Sequence, residues 1–300
     1  FLMFLNNSIK ASIALCLASL FWSGNFIIGR LASTESIISP LSLGFYRWVI
    51  AFAILTPFFL SSSLKTLHKI KDQPGVIFII ILSGPTLFNT FIYVGLTSTK
   101  VINALLIVST VPMLIILFNF LLFKIHSTTI QLIGIIISLV GVSFVITKGN
   151  YINFFSSQFY VGDIFIMLAA ISWAIYSIYL KKNKTGIAGF ELLYISFGFT
   201  ILLLFPLYLF DFFVLQNELI FDTKTVLTIC YTGIFPSIFS YLFWNVGVSL
   251  IGPNKSGPFL HLMPIFGGIL AFVIFQERLE FYHYVGILSV IAGIIITNKK

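Results

Sequence analysis

The amino-acid sequence predicts an all-α polytopic membrane protein with ten transmembrane helices in two inverted five-helix repeats. Composition identifies the solvent: 59% of the 300 residues are apolar and 9% are charged, against about 25% charged in soluble domains. So little polar surface cannot cover a water-facing globule. Hydropathy supplies the helix number, because ten apolar runs approach the ~20 residues that span hydrocarbon as helix. Self-similarity supplies the architecture. Shifted by 152 positions, 100–145 falls on 252–297, with Pro112 on Pro264, Gly134 on Gly286 and Gly141 on Gly293. Upstream, Phe91 falls on Phe243, Gly95 on Gly247 and Tyr93 on Asn245. Recurrence at half the chain length marks two copies of one supersecondary unit, not a solenoid of short repeats.

The expected spans in the first repeat are 10–32, 39–62, 74–96, 101–123 and 128–147. Those of the second are 162–180, 188–210, 225–250, 254–276 and 281–297. The first run extends past twenty residues without a small-residue cleavage site, so it reads as a helix and not as a cleaved leader. Thr97 to Lys100 and Ile251 to Pro253 are too short for anything but tight turns. The predicted organisation is one repeat over 1–149, a polar outer linker over 150–160 and a second repeat over 161–300.

Five helices per repeat is an odd number, so the second copy enters the membrane from the opposite side. With the amino terminus inside, eleven lysines collect on the inner side and five basic residues on the outer, while Arg47 lies within a helix. This asymmetry predicts a multi-pass protein of the inner (cytoplasmic) membrane with both termini cytoplasmic. The net charge of +8 sits in short breaks between apolar runs and forms no aromatic-interleaved patch. Lipid, and not nucleic acid, is the expected partner.

No catalytic set is legible. Gly252 to Gly257 holds the residue types of a phosphate loop, but in the wrong order and without a preceding strand. His68, His126, His261 and His283 have no metal-ligand spacing, and Cys16 and Cys230 suggest neither a disulfide framework nor a metal site. The reading is a non-enzyme without a cofactor. Any translocation would run on gradients.

Polar groups inside hydrocarbon are costly and turn toward the bundle interior, which makes them the default site candidates. Trp22 and Asn25 share a face at i and i+3. Asn89 and Tyr93 lie one turn apart after Pro85, and Tyr241 and Asn245 occupy the same places in the second copy. On inverted helices these pairs would face one another across the central axis. Helix–helix hydrogen bonding is the competing role. Trp173 and Tyr176 form the better cavity pair on the sixth helix, since Tyr179 cannot share their face. His261, between Pro258 and Pro264, sits where an interrupted helix could expose carbonyls, and histidine can titrate near neutral pH. Lys255 either attracts an anionic group or snorkels to the interface. Arg47 requires a partner, expected among helix carbonyls, a carboxylate or the substrate.

These residues resemble the EamA-type branch of the drug/metabolite transporter superfamily over nearly the whole chain. The resemblance rests on Trp22 to Asn25, Pro40, Tyr46-Arg47-Trp48, Tyr93-Val94-Gly95-Leu96, Asn103-Ala104 and Pro112. In the second copy it rests on Pro264-Ile265-Phe266, Gln276-Glu277-Arg278-Leu279, Gly286 and Gly293. The first copy departs from the pattern, with Lys124-Ile125-His126 where an acidic ending is expected, so a role for that acidic residue falls on Glu277 alone. The resemblance implies a secondary active transporter of small organic metabolites. Together with the residues it leads to the expectation of an exporter of amino acids or related amphiphilic compounds, working by alternating access around a cavity lined by helices one, three, four, six, eight and nine. Expected substrate contacts are Trp22, Asn25, Asn89, Tyr93, Asn103, Trp173, Tyr176, Tyr241, Asn245 and His261. Structural or coupling parts fall to Arg47, Lys255, Glu277, Pro112 and Pro264. The alternatives are an importer or exchanger of a nucleotide-derived metabolite, or a non-transporting membrane scaffold.

Overall fold

The computed structural model describes residues 6–150, 159–217, 219–275 and 280–299. Glu277 and most of the 150–160 linker lie outside these. The first repeat comprises α1 (Asn7–Thr34), α2 (Pro40–Asp72), α3 (Pro74–Ser98), α4 (101–123) and α5 (Thr129–Ile146). The second comprises α6 (Val161–Lys182), α7 (Gly189–Phe213), α8 (Thr223–Ile251), α9 (253–275) and α10 (Phe281–Asn298). All but α9 are long and apolar enough over their described residues to cross a membrane. No strand occurs among the described residues.

Helix starts are chemically marked. Ser39 caps α2 through the Ser42 N–H with Pro40 at the first position, and a Thr128/Gln131 capping box opens α5. Each device satisfies amide donors that a helix leaves free at its amino end. Proline marks the interruptions. Pro85 lies in a π-helical turn over Leu82–Phe88 of α3, and Pro236 in one over Gly233–Phe239 of α8. A proline cannot donate to the helical ladder, and the wider turn accommodates it while loosening nearby carbonyls. The fourth helices break as well: α4 interrupts at Ser109 and Thr110, and α9 winds as a 3-10 helix over Gly257–His261.

Helix pairing obeys the inverted repeat. α2 packs on α7 and α5 on α10, each helix against its own counterpart. α1 packs on α8 and α9 as α6 packs on α3 and α4. Glycines permit the closest approach. A Cβ on Gly134 would stand 2.7 Å from the Gly293 carbonyl oxygen, and one on Gly141 would stand 3.1 Å from that of Gly286. Gly134 and Gly286 are repeat equivalents, as are Gly141 and Gly293, so each glycine faces the other's mate. This α5–α10 seam brings backbones into contact, which larger side chains would forbid.

The burial pattern is that of a protein in lipid. Phe58, Leu202 and Leu288 turn outward at 75%, 69% and 69% exposure. Arg47, Asn89, Tyr241, Asn245 and His261 are buried.

Candidate functional site

Between α1, α2, α3, α6 and α8 lies a polar lattice inside an aromatic shell. It starts at Arg47, carried fully buried on α2. Its Nε donates to Ser237 Oγ at 2.8 Å, and its Nη1 donates to Asn89 Oδ1 at 2.7 Å and to Tyr93 Oη. Asn25 Oδ1 lies 3.5 Å from the same Nη1 and accepts from Tyr93 Oη at 2.8 Å. The partners expected for Arg47 among backbone carbonyls or carboxylates are replaced by side-chain amide and hydroxyl oxygens on three other helices.

One of the bonds that cross between the repeats joins repeat-equivalent residues. Asn89 Nδ2 donates to Tyr241 Oη at 2.7 Å, and these residues are 152 positions apart. The π-turn of α3 ends at Phe88, directly before Asn89, and that of α8 ends at Phe239, two residues before Tyr241. These turns free acceptors: Trp22 Nε1 donates to the Pro236 carbonyl at 3.1 Å. Ser237, which accepts from Arg47, donates in turn to the Thr232 carbonyl at 2.7 Å.

Tyr241 is the hub of the aromatic shell. Its ring lies edge-on to Trp22, Trp48 and Trp173 at 5.9, 5.5 and 5.3 Å between centroids. Trp22 meets Trp173 edge-on at 4.8 Å, and Trp173 lies 4.9 Å from Tyr176. Tyr176 Oη donates to Asn245 Oδ1 at 2.6 Å. Edge-on aromatic pairs contribute about 0.5–1.5 kcal/mol each beyond area burial. The arrangement sets amide and hydroxyl groups directly beside aromatic rings.

The structure thus gathers Asn25, Asn89 and Tyr93 around Arg47, and Trp22, Trp173, Tyr176 and Asn245 around Tyr241. It places the other expected residues elsewhere. His261 Nε2 lies 2.8 Å from the Ser109 carbonyl oxygen, and Nδ1 lies 2.7 Å from Ser138 Oγ. The imidazole therefore donates from Nε2 to a carbonyl freed where α4 breaks. His261 and Ser109 are also 152 positions apart, so the breaks of α4 and α9 meet across the same axis. Asn103 Nδ2 lies 3.3 Å from Asp163 Oδ2, beside a groove of about 610 Å³ between α4, α5 and α6. Lys255 reaches the Asn298 carbonyl at the end of α10, at 3.5 Å. Pro112 borders Gly257, whose added Cβ would stand 3.1 Å from the proline Cα. Pro264 is buried within α9.

Four participants were not among the expected site residues, the first being Trp48, whose ring lies edge-on to Tyr241. Trp244 is fully buried, 5.8 Å from Trp22 between centroids, and donates from Nε1 to Ser177 Oγ at 3.2 Å. Its adjacency to Asn245 was the available signal. Ser237 carried none, being one of many small hydroxyls. Asp163, held by Thr99 Oγ1 and by the Tyr160 N–H at 2.9 Å, reads in sequence as an ordinary helix-start acid.

Comparisons with known proteins agree with this architecture. The EamA-like transporter family matches twice, over residues 9–147 and 160–299. An uncharacterized transporter of Archaeoglobus fulgidus is 27% identical over 292 residues, covering 97% of this chain and 98% of the relative. The uncharacterized transporter YetK of Bacillus subtilis is 28% identical over 294 residues, covering 97% and 87% respectively. A crystal structure with 17% identity shares the fold at a TM-score of 0.75, over 96% of this chain and 97% of the other. With both halves matched and relatives aligned nearly end to end, the chain belongs to the EamA-like transporter family, within the drug/metabolite transporter superfamily.

Proposed function

We propose that this chain is a secondary carrier that exports amino acids or related amphiphilic metabolites across the cytoplasmic membrane by alternating access. The observation that carries the reading is the Asn89–Tyr241 bond, set beside Arg47 where the two repeats meet. A charged group near the bilayer centre costs at least about 2.5 kcal/mol. A fold needing only helix packing would place an apolar residue there. The aromatic shell suits an amphiphilic body, and the amides and hydroxyls suit its polar end.

The cluster is closed in this conformation, with Arg47 and Tyr241 both 0% exposed. Passage then requires the helices around it to separate on one side and later on the other. Inverted halves supply two packings of similar energy for that motion. The excess of inner lysines favours cytoplasmic termini.

Counterflow in proteoliposomes tests the proposal. Vesicles preloaded with an unlabelled amino acid should transiently accumulate the labelled compound, and Asn89→Leu should abolish the accumulation while inserting normally. Counterflow that persists at the wild-type rate in Asn89→Leu would remove the cluster from the transport path.

A further inference from the structure

Among the described residues, the buried side-chain atoms without a hydrogen-bond partner are Arg47 Nη2, Trp48 Nε1, Trp173 Nε1, Asn245 Nδ2 and the hydroxyls of Ser63 and Ser196. The four nitrogens share two properties. Each is an obligate donor, and each belongs to the surroundings of Tyr241. Trp48 and Trp173 touch its ring. Asn245 is bonded to Tyr176, which lies 5.7 Å from it. Arg47 reaches it through Asn89. Leaving a buried donor unpaired costs about 1–3 kcal/mol, so four in one cluster form an unusual concentration of unmet demand for acceptors.

Charge points the same way. Arg47 is the only Lys or Arg buried among the described residues. The buried carboxylates there are Asp163 and Asp211, and each is engaged elsewhere. Asp163 accepts from Thr99, Asn103 and the Tyr160 N–H. Asp211 accepts from Ser39, from Ser42 at 2.7 Å and from Asn217 at 2.8 Å. The guanidinium is met by neutral oxygens and by the rings of Trp48 and Tyr93, whose centroids lie 4.7 and 5.5 Å from Cζ.

We propose that the Arg47–Tyr241 cluster binds the carboxylate of an amphiphilic substrate, with Arg47 Nη2, Trp173 Nε1 and Asn245 Nδ2 as its donors and the Trp22, Trp173 and Tyr241 rings around its apolar body. This rests on the carrier reading and names the substrate's chemical class. A carboxylate is all acceptor and carries one charge, so it satisfies orphaned donors and offsets one guanidinium. A phosphate dianion would need a second buried cation. An amine without a carboxylate would set donors against donors.

The test uses three matched probes: 3-phenylpropionate, 3-phenylpropionamide and 2-phenylethylamine. Thermal stabilisation and equilibrium binding are measured on the detergent-purified full chain. The carboxylate should stabilise the wild type and bind at least about tenfold more tightly than the amide, with no binding by the amine. Arg47→Gln should erase the preference for the carboxylate. Because that variant removes four contacts and can misfold, two gentler ones accompany it. Trp173→Phe keeps an aromatic ring, though a smaller one, and deletes a donor that bonds nothing within the protein. Asn245→Asp keeps the acceptor for Tyr176 and replaces the orphaned donor with an oxygen. A smaller ring and a buried acid each lower the unfolding temperature without ligand, so binding is read on the folded fraction, where both should weaken the carboxylate about threefold or more with the amide unchanged.

Equal binding of amide and carboxylate overturns the inference. So does a carboxylate preference that keeps its full wild-type size in both gentle variants, or no binding by any probe. The carrier reading fails separately. If 3-phenylpropionate binds with the expected preference yet shows no counterflow, the carboxylate site stands and transport through it does not.

Discussion

Two places join repeat-equivalent residues across the axis of this protein, and they are built oppositely. At the α5–α10 seam and the adjoining His261–Ser109 contact, backbones touch and both imidazole nitrogens have partners. At the Asn89–Tyr241 crossing, four donor nitrogens in the surrounding cluster have none. Lipid offers no compensating partners, so satisfaction of polar groups separates the two places more sharply than in water. The imidazole at the seam is satisfied within the protein, and four donors of the cluster are not.

That contrast can be broken by substitution. Gly293→Leu should have the largest effect, because its Cβ alone would stand 2.5 Å from the Gly134 carbonyl oxygen. Overpacking without room to yield costs about 3 kcal/mol or more, so the yield of monodisperse protein should collapse. The same change at Gly267, with nothing within 4 Å of an added Cβ, should leave the yield intact. Equal tolerance at both positions would deny the seam its structural part.

His261→Ala comes next. It leaves the Ser109 carbonyl unpaired and opens a space in a packed region, which should lower stability by about 2–4 kcal/mol. Probe affinity of the folded fraction, measured by equilibrium binding, should not change. A selective loss of binding would move His261 from the frame into the site.

Tyr241→Phe should invert that pattern. It removes one acceptor from Asn89 Nδ2, at about 1 kcal/mol in unfolding stability, while counterflow falls about tenfold or more. Larger loss of stability than of flux would make the crossing a brace.

The smallest effect belongs to an exposed cap outside both regions. Asp222 accepts from the Thr225 N–H at 2.8 Å, and this bond holds its carboxyl below the usual carboxylate range. A lowered native pKa stabilises fully above the unfolded value of about 3.9 and loses that contribution as pH falls through the native value. The difference in unfolding temperature between wild type and Asp222→Ala should therefore shrink below about pH 4. Persistence at lower pH would mean that the charge of Asp222 contributes nothing to the cap.

The fold was legible because two of its determinants are one-dimensional. Lipid demands long apolar runs, and duplication repeats their punctuation, so α1 and α10 end within a few residues of expectation. Asn89 and Tyr241 were legible as partners for the same reason, since the repeat registers them in advance. The partners of Arg47 were not. They sit on α1, α3 and α8, and which faces of these helices meet depends on π-turns whose width a proline signals only in part. His261 and Ser109 stand in repeat register too, yet the acceptor is a backbone carbonyl freed by a helix break, which no residue type records. Trp244 escaped because its counterpart in the first repeat is Ile92, so the duplication gave it no echo.

Whatever the substrate, the cluster should open to water during function and the seam should not. Cysteine accessibility tests this most directly, in a Cys16→Ala, Cys230→Ala background reconstituted into vesicles. A membrane-impermeant thiol reagent should modify Tyr241→Cys when added on either side, and should leave Ser138→Cys unmodified from both. Protection of position 241 on both sides, or equal modification of positions 138 and 241, would contradict the division between a fixed seam and a transport site.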